Sequence, residues 1–162
     1  MKLHKRNSRN TYSHQSWSSL ISDLEFDLSS GLQAFEARNF SKALQLLTPL
    51  AEDGNAEAQY RLGMIYQNGL GKVKNLQYAK RYMSAAAEQN HAYAQHGLGV
   101  MYLYGEGVDK DESKALEWFR KAAEQGLPGS QMTLGMMYEN GQGVEKNEVE
   151  ARKWYKLAEQ HN

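Results

Sequence analysis

Apolar residues in the third quarter of the chain recur at the spacing of a helical face. One stripe occupies positions i, i+3, i+4, i+7 and i+8 and consists of Ala115, Trp118, Phe119, Ala122 and Ala123. An earlier stripe consists of Ala94, Leu98, Met101 and Tyr102. Because a helix completes one turn in about 3.6 residues, each stripe is typical of an amphipathic helix with one buried side. The pattern predicts two helices joined by a turn.

This helix pair recurs along the chain at intervals of 36 residues. A single glycine inside the first helix marks the interval, at Gly63, Gly99 and Gly135. Gly-x-Gly pairs mark it again in the following turn, at Gly69/Gly71, Gly105/Gly107 and Gly141/Gly143. A fixed period of about 20 to 50 residues indicates a stacked repeat architecture. We divide the chain into four copies, the first being the most divergent, at about 20–55, 56–91, 92–127 and 128–162.

Polar residues at fixed positions indicate where the second helices begin. These are Asn39, Asn75, Asp111 and Asn147, whose short side-chain oxygens can accept an unpaired backbone N–H at a helix start. The Gly-x-Gly pairs lie just before three of them. Such a pair can also cradle a phosphate, but that loop follows a strand and none is predicted here. We interpret the pairs as inter-helix turns in which glycine adopts a positive φ.

The glycine inside each first helix needs a structural reason, because glycine there costs about 1 kcal/mol relative to alanine. The matching face of the second helix is mostly alanine with one aromatic residue. We therefore expect the two helices to approach closely at this point. In this interpretation, the ring of Trp118 or Trp154 fills the space beside the glycine.

The copies must stack on one another, because a unit of 36 residues is too short to bury a core alone. The chain contains no cysteine, so no disulfide can stabilise a single unit. Each copy would instead bury the face that its neighbour leaves open. The sequence predicts an all-α fold, a right-handed α-α superhelix or solenoid of about four helix-turn-helix repeats of 36 residues, with one long concave surface.

The third copy, AQHGLGVMYLYGEGVDKDESKALEWFRKAAEQG, closely resembles the Sel-one-like repeat, a relative of the tetratricopeptide repeat. The fourth copy matches nearly as well, and the second departs from the pattern at Lys72 and Tyr82. The first is more similar to an ordinary tetratricopeptide unit with a short turn. The resemblance covers about residues 28–161. It implies an adaptor or scaffold, frequently bacterial, that binds proteins or peptides, and it does not imply an enzyme.

Charge and composition limit the kinds of partner and the cellular location that we expect. Nineteen Lys and Arg balance nineteen Asp and Glu, which argues against a nucleic-acid partner bound by bulk electrostatics. No apolar run approaches the length of a membrane span, so we expect no membrane partner. The absence of cysteine, and of the apolar stretch that a signal peptide needs after its basic start, favours a cytoplasmic location.

The amino-terminal residues differ in composition from the predicted repeat domain at 20–162. Residues 1–19 carry four basic residues and no acidic one. We interpret this segment as a polar, mobile tail. A basic docking arm for an acidic partner is the alternative.

No combination of residues indicates catalysis or a bound cofactor. The histidines show no spacing typical of a helical metal site, so we predict no metal and no other cofactor; they are His4, His14, His91, His96 and His161. The serines around His14 lack the strand-turn-helix context of a nucleophile elbow, and no carboxylate pair is in a setting for acid/base work. We predict no catalytic residue and no enzymatic activity. A hydrolase with an unrecognised site is the rival hypothesis.

The first helices carry a second apolar stripe opposite their core stripe. Its residues vary between copies, whereas the core positions stay nearly fixed. First helices line the concave side of such solenoids, so the stripe predicts a groove for a partner's helix or extended peptide. The candidate residues are Tyr60, Met64, Gln67, Tyr93, His96, Val100, Leu103, Tyr104, Met132, Met136 and Glu139. For Met64, Val100 and Met136 the alternative is packing between successive first helices.

These features predict a non-enzymatic protein-interaction module that captures a partner protein or peptide in its groove. A bacterial toxin-immunity or regulatory inhibitor protein that uses the same surface is a more specific alternative. The last second helix contains Trp154, Tyr155 and Leu157, and no polar capping helix follows it in the sequence. That end either supports self-association or is covered by local side chains.

Overall fold

The computed structural model describes residues 16–160, and over this range the chain forms eight α-helices and no strand. The helices are α1 (Trp17–Glu36), α2 (Phe40–Glu52), α3 (Ala56–Asn68), α4 (Leu76–Glu88), α5 (Ala92–Tyr104), α6 (Glu112–Glu124), α7 (Pro128–Asn140) and α8 (Glu148–Glu159). Each helix packs on the helices before and after it in sequence, and first helices also contact each other, α1 with α3 and α3 with α5. The predicted all-α solenoid of helix pairs is confirmed.

The predicted start of each second helix is confirmed by its cap. Backbone N–H groups donate to the side chains of Asn39, Asn75, Asp111 and Asn147 at 3.0–3.2 Å. The turns before three of these caps contain glycines in the left-handed region, including Gly69 at φ +63° and Gly105 at φ +71°. A side chain there would strain the backbone, which explains the Gly-x-Gly spacing.

The glycines inside the first helices face the second helices, but not the residues predicted. A Cβ on Gly99 would lie 2.9 Å from Cε1 of Phe119, and Gly63 and Gly135 face Met83 and Tyr155 in the same way. The assignment to Trp118 and Trp154 is therefore wrong by one residue. Residues 118 and 119 lie about 100° apart around the helix and flank the same stripe, so spacing alone does not separate them.

The first repeat is built on a shorter interval than the others. Its glycine, Gly31, faces Leu47, as Gly63 faces Met83. Gly31 precedes Gly63 by 32 residues rather than 36, because α1 and α2 are joined by only three residues. The predicted boundary at residue 19 needs correction, since α1 begins at Trp17 and Ser16 Oγ accepts its cap bond from Ser19 N–H at 3.3 Å. Residues 1–15 of the predicted tail lie outside the described residues.

Buried glutamines connect successive repeats, and these contacts were not predicted from the sequence. Gln59, Gln95 and Gln131 each donate to a carbonyl in the last turn of the preceding second helix, at 3.1–3.3 Å. Gln89 and Gln125 in turn donate to the side-chain oxygens of Gln59 and Gln95, at 2.8 Å in both cases. Their spacing of 36 residues was the available signal. Each bond satisfies a polar group that stacking would otherwise bury unpaired.

Candidate functional site

The outward surface of α3, α5 and α7, called here the groove face, holds most of the predicted site residues. Four of them are large, apolar or aromatic, and exposed: Tyr93 (58%), Tyr104 (69%), Met132 (42%) and Met136 (50%). Large apolar side chains that the core does not bury are the informative part of a surface. These four therefore define the accessible part of the candidate site.

Tyr60 and Tyr93 join α3 to α5 across the groove face. Their rings stack with centroids 6.0 Å apart, and the ring of Tyr60 also lies 4.7 Å from that of His91. Tyr60 is half-buried in this arrangement, and burial raises the pKa of its hydroxyl. The stacked pair gives the groove face a rigid aromatic wall whose outer member, Tyr93, remains accessible.

A charged cluster lies beside this wall, on α3 and at the start of α5. The Glu57 carboxylate lies 2.6 Å from His91 Nε2 and 2.7 Å from Arg61 Nε, and Arg61 also contacts Glu36 at 2.9 Å. The hydrogen bond from His91, followed by that from Arg61, lowers the pKa of Glu57 to about 2. These charges are paired with each other, so they orient the tyrosines rather than offer a free charge.

His91 holds its position because it also caps a helix. The backbone N–H of Ala94 donates to His91 Nδ1 at 3.2 Å. An accepting Nδ1 leaves the proton of a neutral ring on Nε2, where it points to Glu57. Asn55 occupies the same cap position 36 residues earlier, and this spacing was a signal that could have identified the role of His91.

Three other predicted residues are already engaged within the fold. His96 Nδ1 lies 2.8 Å from Ser130 Oγ and its ring packs edge-on against Phe119; burial lowers its pKa and favours the neutral ring. Gln67 donates to Glu106 at 3.0 Å. Glu139 accepts from the Tyr155 hydroxyl at 2.7 Å. These contacts connect α5 to α7, α3 to the turn after α5, and α7 to α8.

Leu103 does not belong to the groove face. It is 8% exposed and lies in the apolar cluster with Phe119, Leu134 and Met137. The prediction that Leu103 lines the groove is therefore wrong. Because α5 is apolar on almost every side, periodicity did not distinguish its outward positions from its buried ones. Met64 and Val100 are half-buried against the two apolar clusters, which agrees with the packing alternative.

The first repeat adds two residues that the sequence reading did not identify. Leu28 and Leu32 pack against the same apolar cluster as Tyr60 and Met64 and, with Glu25 and Glu36, line an apolar groove along α1. Leu28 precedes Tyr60 by 32 residues, and Leu32 precedes Met64 by the same interval. The shorter interval of the first repeat would have predicted them, whereas the period of 36 residues did not.

The described part of the chain contains neither a candidate metal site nor a membrane-spanning helix. Between residues 16 and 160, no three His, Asp or Glu side chains come together in a way that would hold a metal ion. No helix in that range is long and apolar enough to cross a lipid bilayer.

Antiparallel helix pairs that pack in sequence order and recur along the chain define an α-solenoid of the tetratricopeptide type. The model of the Sel1 repeat matches four segments that together cover most of the chain, residues 30–55, 56–91, 92–127 and 128–162. The chain therefore belongs to the Sel1 repeat family. Proteins of this family generally serve as non-enzymatic scaffolds for protein–protein interaction.

Solved structures of similar proteins support the assignment. A Sel1 repeat protein from Oxalobacter formigenes is 36% identical with a TM-score of 0.77, and the alignment covers 82% of this chain and 54% of that one. The antigen c5321 of uropathogenic Escherichia coli is 42% identical (TM-score 0.71), over 73% of this chain and 25% of its own. Cysteine rich protein B of Helicobacter pylori is 28% identical (TM-score 0.60), with coverages of 75% and 87%. Among curated protein sequences, none matches the chain.

The lengths of these relatives limit what they imply. The chain spans about half of the Oxalobacter formigenes protein and a quarter of c5321. The similarity therefore concerns the repeats themselves. Any activity of those larger proteins is not transferred to this chain.

Proposed function

We propose that this chain binds a segment of a partner protein on the groove face, the side on which the sequence predicts a concave surface. The observation that carries the proposal is the exposure of Tyr93 and Tyr104 on α5. They are 11 residues apart, which places them on one side of the helix and about 16 Å apart along it. The fold buries neither ring, so packing does not explain them.

The neighbouring helix supplies a second row of accessible apolar side chains. Met132 and Met136 lie one turn apart on α7 and are about half exposed. Methionine adapts its shape to a partner, and tyrosine provides a large contact area together with a hydroxyl at low entropic cost. A tyrosine row beside a methionine row suits a helix or extended peptide that presents apolar side chains to the groove.

Charge contributes little to this proposed site. Glu57 is paired with both Arg61 and His91, and Gln67 and Glu139 are hydrogen-bonded within the fold. Binding by Tyr93, Tyr104, Met132 and Met136 should therefore depend weakly on salt concentration. The proposed mechanism needs no bound cofactor and no catalytic group, and we place it in the cytoplasm.

The test is partner capture by matched variants. The wild-type chain is used to isolate a partner from the native host, the bound protein is identified by mass spectrometry, and its affinity is then measured with purified components. The double variant Tyr93→Ala/Tyr104→Ala should weaken that affinity by at least about tenfold. Val149→Ala on α8, where Val149 is 59% exposed outside the groove face, should leave it unchanged.

Thermal unfolding of each variant distinguishes a lost site from a lost fold. Both variants should unfold near the wild-type temperature, because the substituted side chains are exposed. An unchanged affinity in the double variant would overturn the groove assignment. Turnover of a substrate by the purified chain would favour the rival hydrolase hypothesis.

A further inference from the structure

The first helix extends beyond the repeat framework. α1 has 20 residues, whereas each of α2 to α7 has 13. If Gly31 is aligned with Gly63, the first residue of α3, Ala56, corresponds to Leu24. Residues 17–23 are therefore about two helical turns that have no equivalent in the other first helices.

A stripe of large apolar residues begins in this extension, and its first three members are exposed within the described part of the chain. Trp17 is 83% exposed, Ile21 is 54% exposed and Leu24 is 50% exposed. They continue along α1 to Leu28 and Leu32 at intervals of three or four residues, so the five side chains lie on one helical face. These five residues are called the α1 stripe. Part of the stripe lines a groove together with Leu50 and the turn 53–55.

Acidic residues lie on both sides of the α1 stripe. Helical periodicity places Asp23 and Asp27 along one side and Glu25 and Glu36 along the other. Residues 17–37 contain no Lys or Arg. Glu36 is already paired with Arg61 at 2.9 Å, so the carboxylates of this segment that are left for a partner are Asp23, Glu25 and Asp27. Asp53 adds a further carboxylate at the wall of the groove.

We propose that the α1 stripe is a second docking surface, whose partner is an amphipathic helix with an apolar stripe flanked by Lys and Arg. The apolar stripe would provide the contact area, and the flanking cations would pair with the carboxylates on either side. A second copy of this chain is a poor occupant, because pairing α1 with α1 would bring Asp23, Glu25 and Asp27 of both copies, six carboxylates, around one small contact. This proposal does not depend on the groove face of α3, α5 and α7.

The test measures the binding of two designed helical peptides of about 18 residues, long enough to lie along α1. Both have a leucine stripe, flanked by lysines in one peptide and by glutamates in the other. The lysine-flanked peptide should bind the wild-type chain and weaken at high salt, whereas the glutamate-flanked peptide should not bind. The double variant Ile21→Ser/Leu24→Ser should weaken binding by about tenfold or more.

Matched variants show where the peptide binds. Phe26→Ser changes a residue of α1 that is 71% exposed on the side opposite the stripe, and binding should be retained. Tyr93→Ala/Tyr104→Ala should also retain binding, which separates this proposal from the one for the groove face. Glu25→Lys/Asp27→Lys should reverse the preference between the two peptides.

Three results would overturn the proposal. The first is equal binding of both peptides. The second is a dimer in analytical ultracentrifugation that Ile21→Ser/Leu24→Ser abolishes, which would identify a second copy as the occupant. The third is much tighter peptide binding by a chain that lacks residues 1–15, which would identify the chain's own basic segment as the occupant.

Discussion

The two ends of the helix stack present opposite kinds of surface. At one end, α1 exposes the apolar residues Trp17, Ile21 and Leu24. At the other end, α8 exposes mainly charged residues, including Arg152 and Glu159, together with the separate apolar residues Val149 and Leu157. Both helices lack, within the described residues, the neighbour that every helix between them has on each side.

The interior repeats show what the same positions do when a neighbour is present. Leu116 and Ala123 of α6 are buried, and the residues 36 positions later are Arg152 and Glu159 of α8. The last second helix thus carries charge where an interior one carries apolar packing. Trp154 and Tyr155 are partly buried and Leu157 is 39% exposed, and both alternatives for this end, self-association and coverage by local side chains, stay predictions. The amino-terminal end therefore keeps the larger apolar surface, because α1 exposes Trp17, Ile21 and Leu24 on one helical face.

The largest expected effect is a loss of folding stability at one repeat position, which we compare between an interior repeat and the last repeat. Phe119 is fully buried against Gly99, and Tyr155 is its partly exposed equivalent against Gly135. Phe119→Ala should lower the free energy of unfolding by about 3–5 kcal/mol, because it leaves a large cavity. Tyr155→Ala should cost less, since part of its ring faces solvent. Urea unfolding followed by circular dichroism measures both, and equal losses would contradict the comparison.

An intermediate effect is expected for the buried glutamines. Gln95 bonds to Ala87 O, Asn90 and Gln125, whereas Gln131 bonds to Ala123 O and its side-chain oxygen has no partner among residues 16–160. Gln95→Leu leaves a carbonyl and two side chains without that partner and should destabilise the chain by about 1–3 kcal/mol. Gln131→Leu should cost less. The same urea experiment measures the difference, and a larger loss for Gln131→Leu would show that the connections between repeats do not weaken toward the end.

The smallest expected effect is a change in folding stability at acidic pH, caused by Glu57 of the charged cluster with Arg61 and His91. Its pKa is lowered from 4.5 to about 2 in the folded chain, so its stabilising contribution is present above about pH 4.5 and is lost as the pH falls toward 2. Glu57→Gln should flatten the fall in stability across this window. His91→Asn should flatten it in part, because the Arg61 contacts remain. Urea midpoints between pH 6 and pH 2.5, a window set by that shift, measure both variants. A profile in Glu57→Gln that still follows the wild type would exclude this cluster as the cause.

Much of the fold was predictable because it depends on local chemistry. Asn75 and Asp111 cap helices through their own neighbouring N–H groups, and Gly69 and Gly105 meet a backbone requirement within one turn. Such features depend only on nearby residues, so the sequence pattern was sufficient to place the helices. The stacking of repeats also followed, since a single unit is too short to bury a core.

The candidate site was harder to predict because its residues are selected by packing between helices. Leu103 and Tyr104 are adjacent in an apolar helix, yet the first is buried and the second is 69% exposed. Leu28 and Leu32 were missed because the first repeat has a shorter turn and therefore a different interval. The Glu57–Arg61–His91 cluster joins residues up to 34 positions apart, and no local pattern predicts that contact.

The amino-acid sequence by itself determined the helix pairs, their caps, their glycine turns and the family to which the chain belongs, since each of these is encoded within one repeat. The tertiary structure decided which member of each apolar stripe meets the neighbouring helix, as with Phe119 rather than Trp118. It also decided which side chains remain accessible to a partner. The physical reason is that exposure depends on the neighbour against which a helix packs, and that neighbour is defined only when the repeats are stacked.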